Sequence, residues 1–309
     1  MATGAPRTGS LARAATTAGP GPLRPCPNIR DAGWAVRCGG HESGRRKTEP
    51  GRLHSAPVTY CLAMRLEEGL VFLSDTRTNA GVDDVGTYRK LHVFRPVPDR
   101  MFVLQSAGNL ATTQEVLDRI AVDLAAPGEQ ESLATVPHLF EAALYVGRLG
   151  REVTARHSEA LGANASATFI LGGQIAGLPP DILLVYPEGN YIRASDDRPF
   201  LQIGESKFGK FLLEMAVEAD AGLVTASKIA IGSMMSTARA NLAVGPPYDL
   251  AIYPADALTI EEFRILPDST VLRRLQTIWQ RHMLQVVQDM PSVHDLDELD
   301  RRIEQDRTH

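Results

Sequence analysis

Thr59-Tyr-Cys-Leu-Ala-Met-Arg-Leu66, then Glu67-Glu68, then Gly69-Leu-Val-Phe-Leu-Ser-Asp75, is the stretch whose reading decides the fold. Both runs are rich in apolar and β-forming residues, and Glu67-Glu68-Gly69 has the composition of a tight connection. They read as a β-hairpin whose second strand ends at Asp75. Thr59 stands at the head of the first strand, with Asp75 sixteen residues on and Lys90 thirty-one residues on. A threonine hydroxyl is a poor nucleophile without a base beside it. One source of that base is the residue's own α-amine, freed when everything before it is removed. If Thr59 is residue one of the mature protein, the chain is an enzyme.

The 58 residues before Thr59 differ from everything after it. Nine Ala, nine Gly, eight Arg and seven Pro dominate them, without apolar periodicity. Such a segment buries too little surface to offset its ordering entropy, and disorder is the expectation. An Arg-rich, acid-poor leader has the composition of a transit peptide, but Pro and Gly interrupt any amphipathic helix. A cleaved propeptide is a second reading. The composition favours a third: a start assigned too far upstream in a GC-rich genome. Val58 would then be a GUG initiator, and its removal would expose the amine of Thr59.

Residues 59–309 have the length of one large domain. The leader carries nine Lys+Arg against three Asp+Glu, which leaves 23 basic and 34 acidic residues in the body, a net charge of −11. An acidic body argues against nucleic acid or an anionic membrane as partner, and no apolar run approaches the roughly 20 residues that span a bilayer. Cys26 and Cys38 fall in the leader, so Cys61 has no intramolecular partner, and no Cys/His cluster has metal-ligand spacing. No metal or cofactor is expected, and a cytoplasmic setting is.

Further strands are predicted at 87–94 and 101–106, then helices at 109–125 and about 135–149. Strands follow at 167–173, 181–187, 191–195 and 199–203, helices at 205–219 and 224–242, strands at 249–253 and 261–265, and a helix at 269–290. Strands and helices come in segregated runs rather than alternating βαβ units. That order predicts an α+β fold, with two antiparallel sheets face to face and helices outside.

Thr59, then Ser74-Asp75-Thr76-Arg77-Thr78-Asn79-Ala80-Gly81, then Lys90, then Ser106-Ala107-Gly108, resemble the amino-terminal half of a proteasome β subunit, an N-terminal-nucleophile hydrolase. With Gln202–Lys210 and Arg239–Pro247 added, the chain is more similar still to the bacterial anbu proteins, over about residues 59–255. The resemblance implies a four-layer αββα sandwich and a ring-like homo-oligomer acting on peptide or amide substrates. It does not say whether an ATP-dependent unfoldase takes part. It implies a nucleophile at Thr59, Lys90 beside it, Asp75 holding Lys90, and an oxyanion-binding N–H at Gly108. Thr78, Asn79, Tyr88 and Ser106 would line the substrate groove. The chemistry agrees: an α-amine titrates near neutrality, and a lysine charge favours deprotonation of its neighbours.

In proteasome β subunits a serine and an aspartate from the second half hold the nucleophile's amine. The first corresponds here to Glu205 or Ser206. The second position is Met235, which has no strong acceptor, and Ser236 is the candidate substitute. Three functions follow: a threonine-type peptidase, a small-amide hydrolase with the same residues, or a catalytically silent, peptide-binding assembly. Of the remaining polar side chains, Arg77 reads as a turn residue, paired with an acidic neighbour or touching substrate. His92 and His157 have no catalytic partner at informative spacing, and Cys61 reads as a small buried hydrophobe.

Overall fold

The computed structural model describes residues 59–79, 85–126, 128 and 130–292. The expectations for residues 1–58 lie outside the described residues, as does the acidic stretch from Asp295 to Asp306.

Among the described residues the first element is the hairpin of β1 (Tyr60–Leu66) and β2 (Gly69–Asp75), with Leu66 opposite Gly69. Short strands β3 (Arg77–Asn79) and β4 (Val85–Thr87) pair with each other, and β5 (Leu91–Phe94) and β6 (Arg100–Gly108) follow. Helices α1 (Leu110–Ala125) and α2 (Leu139–Leu161) lead to strands β7 (Ala167–Ile175), β8 (Asp181–Val185), β9 (Tyr191–Arg193) and β10 (Phe200–Gly204). Helices α3 (Lys210–Ala216) and α4 (Leu223–Ala240), strands β11 (Tyr248–Pro254) and β12 (Glu261–Ile265), and helix α5 (Thr270–Asp289) follow. Among the described residues these strands form two antiparallel five-stranded sheets, ordered β10-β1-β2-β11-β12 and β5-β6-β7-β8-β9, beside the β3–β4 pair.

The two-residue period of the strands assigns the layers. Along β1, Tyr60, Leu62 and Met64 point outward onto Ala226, Ala230 and Met234 of α4. Cys61 and Ala63 point inward, where they join Met101, Val103 and Ile170 of the facing sheet. On the far side of that sheet Phe102, Leu104 and Phe169 meet Val116 and Ile120 of α1 and Val146 and Leu149 of α2. The architecture is therefore α+β, a four-layer αββα sandwich. Gly172 lets the sheets approach closely, because a Cβ there would lie 2.6 Å from the ring of Phe72.

Several elements differ from the sequence reading. The strand expected at 87–94 is two strands in different sheets, since the chain crosses between them at residues 88–90. The helix expected at 205–219 shrinks to Lys210–Ala216, because residues 205–209 pack as a loop against the start of β1. The helix expected at about 135–149 starts after Pro137 and runs to Leu161. The pairing of β3 with β4 has no counterpart in the sequence reading. Among the described residues no helix is long and apolar enough to cross a membrane.

Candidate active site

Thr59 precedes the first ladder residue of β1 and is buried, 5% exposed. Its carbonyl accepts the N–H of Glu205 at 2.6 Å. That bond requires glycine next door: Gly204 has φ +84°, and a Cβ there would stand 1.9 Å from the Thr59 carbonyl oxygen. Only a residue without a side chain lets the two backbones approach so closely.

Asp75 ends β2 with no exposure at all. Its Oδ1 accepts the Tyr60 N–H at 3.0 Å and the Lys90 ammonium at 2.7 Å, and its Oδ2 accepts the Gly245 N–H at 3.4 Å. Lys90, 4% exposed, donates also to the Arg77 carbonyl at 2.6 Å. One carboxylate oxygen thus joins the peptide linking Thr59 to Tyr60 with the lysine. Burial raises the Asp75 carboxyl above its ordinary range, opposed by the Lys90 charge and the two backbone amides. Arg77 donates to the Leu242 carbonyl at 2.5 Å, and its guanidinium lies against Gly245. The segment after α4 therefore braces the back of the pair.

Gly108 closes β6 with φ +112°, beside Ala167 at the start of β7 and Ser166 just before it. Together with Gly204 it lines one cavity of about 460 Å³ at the end of the inter-sheet cleft. Ser106 is buried; its N–H donates to the Lys90 carbonyl, and its own carbonyl accepts the Cys61 thiol at 3.6 Å. Burial pushes the Cys61 thiol well above its usual range, as a small buried hydrophobe requires. Thr78 is half-buried on β3 opposite Gly86. The side chain of Asn79 lies outside the described residues. The N–H of Tyr88 donates to the Thr76 carbonyl, and its ring centroid is 6.2 Å from that of His92.

The residues read as holding the amine are placed differently from one another. The Glu205 carboxylate accepts the Lys207 N–H and the Asn241 amide, each at 3.0 Å. Ser206 stands at the rim of the cavity. The Ser236 hydroxyl is turned back onto the Gly232 carbonyl of its own helix at 2.9 Å. Among the described residues none of these three side chains hydrogen-bonds Thr59. Met235 is buried on α4.

Sequence reasoning missed the support beneath the nucleophile. The Tyr60 hydroxyl donates to Ser233 Oγ at 2.7 Å and accepts from the Gln202 amide at 2.8 Å, while Ser233 donates to the Gly209 carbonyl at 2.9 Å. Burial pushes the Tyr60 phenol up to about 12. No signal in a single sequence ties residue 60 to residue 233, although Gly245 does fall in the quoted Arg239–Pro247 block. His157, read as having no partner, meets Glu115 of α1 at 2.8 Å on the outer helical layer, away from this site.

An αββα sandwich of two antiparallel sheets is the fold of the N-terminal-nucleophile hydrolase class. Solved structures place the chain more narrowly. Anbu (ancestral beta-subunit) from Yersinia bercovieri is 42% identical, with 76% of this chain and 98% of that one covered and a TM-score of 0.72. Anbu from Hyphomicrobium sp. strain MC1 is 43% identical, with 76% and 99% covered and a TM-score of 0.69. The chain described as the helical assembly of the Anbu complex from Pseudomonas aeruginosa is 41% identical, with 76% and 98% covered and a TM-score of 0.72. The protein belongs to the Anbu family of proteasome-related β-type subunits. No family model and no curated protein matches it.

Proposed function

We propose that the protein is a threonine-type amide hydrolase of the proteasome kind, acting once Thr59 is the first residue. The observation that carries this is the sharing of one Asp75 oxygen between the Tyr60 N–H and the Lys90 ammonium, which locks the lysine to the strand that presents Thr59. The Thr59 hydroxyl attacks the substrate carbonyl, its proton passes to the α-amine, and an oxyanion forms at the Gly108 N–H. The C–N bond then breaks, the amine product leaves with that proton, and an acyl ester remains on Thr59. Water cleaves the ester, releasing the acid and restoring the hydroxyl. Lys90 stabilises the negative charge that develops near Thr59, and Thr78, Asn79, Tyr88 and Ser106 line the path of the substrate.

A second reading, a peptide-binding assembly without turnover, draws support from Met235. A buried thioether offers the amine no strong acceptor. Intact mass and hydrolysis separate the two. The hydrolase reading expects a purified chain beginning at Thr59 that cleaves peptide amides, with turnover lost in Thr59→Ala. A retained leader, or equal turnover in Thr59→Ala, contradicts it.

Self-assembly belongs to the same proposal, in a cytoplasmic setting. The Pseudomonas aeruginosa relative is described as a helical assembly, and this chain exposes apolar side chains on α3 (Phe211, Met215) and α5 (Leu284, Val287). Large exposed apolar side chains on neighbouring helices suit contact with further copies. Head-to-tail contacts give a ring where the rotation closes and an open helix where it does not. Electron microscopy of the purified protein distinguishes these from a monomer.

A further inference from the structure

The cavity that touches both Gly108 and Gly204 has a chemistry of its own. It occupies about 460 Å³ between the β10 edge of one sheet and strands β6, β7 and β8 of the other. Its polar lining consists of Asn164, Ser166, Thr168, Tyr186, Gln202 and Ser206, and its lining contains no charged side chain. Among the described residues the hydroxyls of Thr168, Tyr186 and Ser206 make no hydrogen bond within the protein. The nearest carboxylate in sequence, Glu205, is occupied by Lys207 N–H and Asn241.

Three kinds of group entering this space fare differently. A charged side chain exchanges part of its water for a lining that offers it no counter-ion. An apolar one displaces water from hydroxyls and leaves them unpaired. A neutral group that both donates and accepts, such as a carboxamide or hydroxyl, satisfies the lining at no charge cost. The cavity also adjoins the nucleophile. Gly204, which lines it, packs against the nucleophile: a Cβ there would fall 3.2 Å from the Thr59 Cβ, which puts the cavity beside the bond under attack.

We propose that this cavity is a substrate subsite selecting an uncharged, hydrogen-bonding side chain, Asn, Gln, Ser or Thr, close to the scissile amide. The proposal rests on the hydrolase reading for its substrate, and its test separates the two. Paired peptide amides, identical except for Asn, Asp, Lys or Leu at each position flanking the central amide, are bound to purified Thr59→Ala protein and followed by fluorescence anisotropy. At one position the Asn peptide binds on the order of tenfold more tightly than the Asp, Lys and Leu peptides. Ser206→Asp, on an exposed loop, and Thr168→Asp each shift that preference toward Lys. Equal binding of all four peptides, or a preference that neither substitution alters, overturns the subsite. Selective binding without turnover by the parent chain beginning at Thr59 keeps the subsite and removes the hydrolase. Turnover with no preference at any flanking position does the reverse.

Discussion

Replacing Asp75 by Asn tests the pair on which the site is built. The carboxylate is fully buried and receives three N–H donors, from Tyr60, Lys90 and Gly245. An asparagine of the same shape presents one oxygen and one NH2, so either Gly245 or the Tyr60–Lys90 pair faces a donor instead of an acceptor. In either orientation the Lys90 ammonium, 4% exposed, loses its only anionic partner among the described residues and is left with neutral acceptors such as the Arg77 carbonyl at 2.6 Å. An uncompensated buried charge costs about 3–5 kcal/mol, a large share of the about 5–15 kcal/mol that holds a domain together. The double substitution Asp75→Asn/Lys90→Met removes the stranded charge and regains at least about 2 kcal/mol of that loss. Urea unfolding at fixed protein concentration measures both through the shift in midpoint at constant slope. An Asp75→Asn protein within about 1 kcal/mol of the parent, or a double variant no more stable than the single one, refutes the reasoning.

Three further outcomes follow. Gly204→Ala brings a methyl group to 1.9 Å from a backbone oxygen in a left-handed conformation; it lowers stability by at least about 2 kcal/mol and turnover at least about a hundredfold, read by unfolding and peptide hydrolysis. Cys61, fully buried with its thiol pushed up by burial, resists iodoacetamide in the native protein and reacts in urea, as peptide mapping by mass spectrometry shows. Tyr60 is raised from 10.0 to about 12, so its contribution of roughly 3 kcal/mol is fully present below pH 10 and lost as the pH rises through about 12. Unfolding followed between pH 9 and about 12 shows that loss, and Tyr60→Phe reduces it by this share while the parallel loss from Tyr248, also raised to about 12, remains.

The strands and their layers were legible because alternation along β1 and β2 carries over directly to the two faces of a sheet. Thr59, Asp75 and Lys90 were singled out by their order and spacing, which resemble a known family, and the structure brings Lys90 onto Asp75 although Lys90 lies between strands. Where the chain leaves one sheet for another, alternation continues unbroken, so Thr87 and Leu91 looked like one strand. Helical spacing likewise ran on through Glu205–Gly209, although the Glu205 N–H is committed to the Thr59 carbonyl and a Cβ on Gly209 would lie 2.3 Å from the Tyr60 hydroxyl. Tertiary contact, absent from any local pattern, decides that segment. The Tyr60–Ser233–Gln202 linkage and the bracing of Asp75 by Gly245 belong to the same class: both join residues more than 140 positions apart.

The central claim is that Thr59, as a first residue, is a nucleophile. Treatment of the purified protein with a threonine-directed electrophile, followed by intact and peptide mass spectrometry, tests it most directly. The account predicts a single adduct on a peptide that begins at Thr59, absent in Thr59→Ala and reduced in Lys90→Met. A chain that begins at Thr59 and remains unmodified, or an adduct that persists in Thr59→Ala, contradicts it.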